Sequence, residues 1–132
     1  MIYLDSSALL KLVFEEAESA SLADWIGGRA GIPLVSSELV RVEVVRSARR
    51  LDVQAVPAAG TLVAQLDLIP LTGALLDEAA QVGDSALRSL DALHLASALS
   101  VCDELTAFVA YDARLLAAAE AAGISPTRVR AL

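Results

Sequence analysis

Apolar positions follow two rhythms along the chain. Short apolar runs predict strands at Met1–Asp5 (MIYLD), at Ile32–Ser36 around Pro33, and at Leu66–Leu71, which ends near Pro70. A fourth, Thr106–Tyr111 (TAFVAY), is rich in strand-favouring residues. Between them, the spacing predicts helices over Ser6–Phe14, Ala17–Trp25, Ser37–Arg50, Ala55–Gln65, Ala74–Val82, Leu90–Cys102 and Ala113–Ala122. Gly27-Gly28 ends the second helix and Gly123 suits the position after the last one. Arg128–Leu132 is expected to add a final short strand.

Strands alternating with helices imply an α/β fold, a parallel sheet covered on both faces. In such sheets ligands bind beyond the C-terminal ends of the strands. The length of 132 residues suits one domain, expected to span 1–132. With 56% hydrophobic residues and a mean hydropathy of +0.60, the chain has enough apolar surface to fold. The longest uncharged stretch, Val53–Leu66, has 14 residues and is broken by polar and turn residues, so no membrane span is expected. Asp5 interrupts the N-terminus before a signal-type apolar run, and Cys102 is the only cysteine, so a cytoplasmic location is expected. Ten basic against 17 acidic residues give −7, which argues against broad, sequence-blind binding of nucleic acid through Lys and Arg. It leaves open an acidic site that meets phosphate through metal ions.

Two acids stand where the strand-end rule points. Asp5 closes the first strand and Asp112 closes TAFVAY. Each also precedes a helix, and taken alone each reads first as an N-cap. Glu43 lies at the border of the apolar face of its helix, flanked by Leu39 and Val40. A pair with Arg46 is its ordinary role. Asp91, in LRSLDALHLASALSVC, falls among Leu87, Leu95, Ala98 and Cys102, where an unpaired charge is costly. Its ordinary role is to cap a helix starting at Ala92.

The segments MIYLDSSALLKL, SSELVRVEVVRSARR, LRSLDALHLASAL and FVAYDARLLAAAEAAG together resemble PIN-domain proteins of the VapC toxin type. The resemblance implies a three-layer α/β/α sandwich with a central parallel sheet of four to five strands. It places Asp5, Glu43, Asp91 and Asp112 at the family's acidic positions. It implies a cytoplasmic, metal-dependent endoribonuclease toxin, a homodimer, neutralised by a VapB-like antitoxin. Transfer RNA and ribosomal RNA are both candidate substrates. Many relatives carry Thr or Ser where this chain has Ala110, which puts a second metal ion in question.

Convergent carboxylates need a counter-charge. Two of them about 5 Å apart repel by roughly 3 kcal/mol at an effective dielectric near 20. An all-oxygen site suits Mg²⁺ or Mn²⁺. The expectation is that Asp5, Asp91 and Asp112 hold the metal, while Glu43 ligates it or orients the attacking water. His94, three residues after Asp91, is geometrically able to join a D-x-x-H ligand pair but reads first as a packed, hydrogen-bonded histidine. Ser6 reads as a helix cap, Glu38 as a first-turn acid, Trp25 as packing and Cys102 as a small buried hydrophobe. Arg41, Arg46, Arg49 and Arg50 form the basic cluster, either a solvated face or a contact for RNA or an antitoxin. Two rival functions remain at this point. One is an inactive PIN-fold module that binds a partner. The other is a phosphotransferase using Asp5 as nucleophile, disfavoured because Ser7 stands where such enzymes have a second acid.

Overall fold

A computed structural model describes all of residues 1–132. Strand β1 (Ile2–Leu4) leads into α1 (Ser6–Val13) and α2 (Ser19–Gly27), then β2 (Leu34–Ser37), α3 (Val40–Leu51) and α4 (Val56–Ala64). Next come β3 (Asp67–Ile69), α5 (Gly73–Ala79), α6 (Ser89–Ser100), β4 (Ala107–Val109) and α7 (Ala113–Ala121). The four strands are all parallel, in the order β3-β2-β1-β4. This is the predicted α/β/α sandwich.

The period-2 pleat divides the core. Ile2, Leu4, Ala107 and Val109 pack on one face with Leu9 of α1, Leu22 of α2, Val44 of α3 and Val63 of α4. Tyr3 and Phe108 point to the other face and meet Leu95 of α6 and Leu115 of α7. A smaller cluster joins Leu75 and Ala79 of α5 to Ala96 of α6. Strands β1 and β4 are buried at every position and β2 at all but its first, as a parallel sheet with two covered faces requires.

Several expectations shift. Helix α3 begins at Val40 rather than Ser37, because Glu38 and Leu39 first form a turn in which Ser37 Oγ accepts from Leu39 N at 3.2 Å. Arg128–Leu132 forms no strand. Pro126 has no N–H to give, and the tail is tied to edge strand β4 by a single backbone bond, Thr127 N to Phe108 O at 2.9 Å. Tyr111 OH reinforces this by donating to Val129 O at 2.7 Å. Cys102 is exposed, since α6 stops at Ser100 and the residue falls in the turn beyond it. Gly123 follows α7 with φ +92°, the left-handed geometry that glycine permits.

Candidate active site

The register pairing Leu4 with Val109 brings the C-terminal ends of β1 and β4 together, so Asp5 and Asp112 flank one edge of the sheet. Both also cap helices. Asp5 Oδ1 accepts from Ala8 N at 2.9 Å. Asp112 Oδ1 accepts from Arg114 N at 2.9 Å and Leu115 N at 3.1 Å. Capping and site membership are therefore compatible readings of the same residues. Their surroundings differ: Asp5 is 3% exposed, whereas Asp112 is open to solvent.

Asp91 is the third residue of α6, not its N-cap, because the helix starts at Ser89. Burial first, and then the charges of Asp112 and Glu43, push its pKa up. Asp91, Asp112 and Glu43 thus share one field. Burial holds the Asp5 carboxyl above the ordinary aspartate range as well, outweighing the hydrogen bonds from Ser7 and Ala8 N that favour its ionised form.

Glu43 does not pair with Arg46. Its Oε1 sits 2.7 Å from His94 Nε2, a contact bridging α3 and α6. His94 is 2% exposed and its Nδ1 lies 2.7 Å from Tyr3 OH, so both ring nitrogens have protein partners. The expectation of a packed, hydrogen-bonded histidine holds, and neither nitrogen is left to take a metal. Tyr3 escaped the sequence reading, as did Ser7. The Ser7 hydroxyl donates to the Asp5 carboxylate (2.7 and 2.8 Å to its two oxygens) and accepts from Tyr111 N at 2.9 Å. It pins Asp5 to the end of the neighbouring chain segment. A serine two residues after a strand-end aspartate was the available signal.

Basic side chains do not neutralise these acids. The lysine of α1, Lys11, is committed to Glu16 and Glu18, each at 2.8 Å. No Lys or Arg ion pair reaches Asp5, Glu43, Asp91 or Asp112; the arginine pairs are Arg41–Glu38 and Arg128–Glu120. Arg88 acts on Asp91 only through its longer-range field. The donor set left over is hard oxygen, which fits a divalent cation of the Mg²⁺ or Mn²⁺ kind. As the side chains stand, no three of the chain's His, Cys, Asp and Glu groups close on one point able to hold an ion.

Comparison with known proteins identifies the family. The PIN domain family model matches residues 2–121, a span that includes all four acids. Ribonuclease VapC35 of Mycobacterium tuberculosis is 42% identical over 127 residues, covering 95% of this chain and 94% of the relative. Ribonuclease VapC47 of the same species is 41% identical over 136 residues, covering 98% and 100%. The crystal structure of M. tuberculosis VapC20, described as a sarcin-ricin loop cleaving toxin, superposes with a TM-score of 0.75 at 18% identity. It covers 97% of this chain and 99% of that one, and supports the fold. With an acidic strand edge, a matching family model and relatives of this identity, the chain belongs to the PIN-domain family, among the VapC ribonucleases.

Proposed function

We propose that this protein is an endoribonuclease toxin that hydrolyses RNA phosphodiester bonds with Mg²⁺ or Mn²⁺, acting as one domain over residues 1–132. One observation carries the metal dependence: Asp5 is buried at the strand edge it shares with Asp112, and no Lys or Arg pairs with it. A buried carboxylate in that position is costly unless a cation completes the site. The names of the relatives, ribonucleases VapC35 and VapC47, support the reaction class.

Asp5, Asp91 and Asp112 are the residues that would hold the ion. Glu43, fixed through one oxygen, would ligate it or orient the attacking water with the other. A bound divalent ion would supply Lewis acidity and offset the charge developing on the phosphodiester oxygens. The chain's own contribution is to fix the carboxylates: Ser7 and Ala8 hold Asp5, and the start of α7 holds Asp112. Neither the histidine nor any serine is arranged for a Ser/His/Asp mechanism, since His94 is paired with Tyr3 and Glu43.

The proposal extends to a cytoplasmic homodimer inhibited by a VapB-like antitoxin, with transfer or ribosomal RNA as target. VapC20, whose description names the sarcin-ricin loop, supports the ribosomal choice by likeness of fold. Exposed Val42, Leu51 and Val53 at α3 suit a protein interface. No helix is long and apolar enough to cross a membrane.

The test is end-mapping of total RNA treated with the protein and Mg²⁺ or Mn²⁺, with Asp5→Asn as control. Discrete new ends that disappear with chelator and with the variant are expected. Equal cleavage by Asp5→Asn, or RNA left intact by the wild type, contradicts the proposal. An antitoxin complex that kept full nuclease activity would refute the inhibition model.

A further inference from the structure

The Tyr3–His94–Glu43 chain crosses three elements, β1, α6 and α3, and is sealed from water at its first two members. Tyr3 stacks on Phe108 with ring centroids 5.4 Å apart and interplanar angle 12°. It meets the His94 ring edge-on at 6.0 Å and 85°. The direction of the two hydrogen bonds follows from what each group can do. An ionised carboxylate only accepts, so Nε2 of His94 carries the hydrogen given to Glu43. In the neutral ring Nδ1 then holds a lone pair and needs a donor. A phenol carries one O–H to give, and the Tyr3 oxygen lies 2.7 Å from Nδ1. Ser36 and Ser97 also neighbour the phenol, but each gives its own hydroxyl hydrogen to a backbone carbonyl, Leu4 O and Leu93 O.

We propose that Tyr3 and His94 are a positioning pair that locks His94 as its Nε2–H tautomer and thereby fixes Glu43. Oε1 of Glu43 is clamped to the ring, while Oε2 stays free of protein donors. Three polar groups in a core contribute little that apolar packing would not, since replacing both partners of a buried hydrogen bond by apolar groups is often near neutral. What the chain delivers is one carboxylate oriented at the edge of the acidic pocket. This is the logic of outer partners that orient a metal site, so the catalytic part of the inference rests on the ribonuclease reading, whereas the tautomer does not.

His94 is the only histidine, so its ring nitrogens can be read without ambiguity by ¹⁵N NMR of the metal-free protein. The wild type is expected to show a single Nε2–H tautomer. Tyr3→Phe keeps the stacked ring and removes only the hydroxyl. It should admit the Nδ1–H form and weaken both Mn²⁺ affinity and kcat by about 10–100-fold, with KM for RNA unchanged. His94→Gln, whose amide can accept from Tyr3 and donate to Glu43, should stay close to wild type. His94→Leu, checked for folding by its melting curve, should fall as far as Tyr3→Phe. A wild-type ring protonated at Nδ1, alone or with Nε2, overturns the inference. So does a Tyr3→Phe protein with unchanged tautomer and Mn²⁺ affinity. A wild type that shows the expected tautomer yet cleaves no RNA would sink the ribonuclease reading and leave the positioning pair standing.

Discussion

The acidic edge has two unlike halves. On one side, Asp5 and Glu43 are largely buried and held by fixed donors: Ser7, Ala8 N and His94. On the other, Asp112 is exposed and Asp91 partly buried, and Asp91 receives no hydrogen bond that shifts its carboxyl. The buried half is preorganised at the cost of desolvation. The open half leaves its carboxylates accessible to a ligand. For the proposed site, which takes up an ion and a bulky polymer, this division keeps one half fixed in the fold and the other within reach of the substrate.

The comparison is broken most severely at Asp5. Asp5→Asn should reduce metal-dependent RNA cleavage by at least about 100-fold, measured as initial rates. The same substitution should raise the melting temperature of the metal-free protein. It removes a buried charge while the amide oxygen still accepts from Ala8 N. Loss of activity with gain of stability is the expected signature of the preorganised half.

Asp112 sharpens the contrast. Asp112→Asn should lose cleavage with little change in stability, because asparagine is as good an N-cap as aspartate. Asp112→Ala should lose cleavage and also destabilise by about 0.5–2 kcal/mol, measured by urea unfolding, because α7 then loses its cap.

A smaller effect is expected from pH. The folded chain holds the Asp5 proton to higher pH than the unfolded chain does, because burial raises that carboxyl. Stability of the metal-free wild type is therefore lost as pH rises from the ordinary aspartate range to the raised folded value, and is level above it. Asp5→Asn has no such loss, so the stability gap between variant and wild type should open with rising pH across that window. A gap that narrows would reverse the assigned cause. The smallest change is expected outside both halves: Arg128→Ala removes an exposed pair with Glu120 and should shift stability by no more than about 1 kcal/mol, with cleavage unaltered.

How much of this was legible before the structure follows the range of each interaction. The strands, the helices and the two strand-end aspartates are local patterns, and they emerged within a few residues of their expected places. The helix expected over Leu90–Cys102 starts one residue earlier, at Ser89, so Asp91 lies inside its first turn and the alternative in which it caps a helix from Ala92 is not the one adopted. The final strand expected at Arg128–Leu132 does not form, and the edge strand β4 makes one backbone bond to the tail, to Thr127 N. The partners of Glu43 could not be read at all. Its contact with His94 spans 51 positions, and that of His94 with Tyr3 spans 91, so only the packed sheet brings them together. Nearby Arg46 was the local choice, and a buried histidine displaced it.

The four acids are proposed to act jointly as a receptor for one kind of ion. Calorimetric titration of Mn²⁺ into the wild type and into Asp5→Asn checks this. Saturable binding to the wild type is expected, weakened at least tenfold by Asp5→Asn, the lower bound for disturbing a metal site. Equal affinities in the two proteins would rule the shared receptor out.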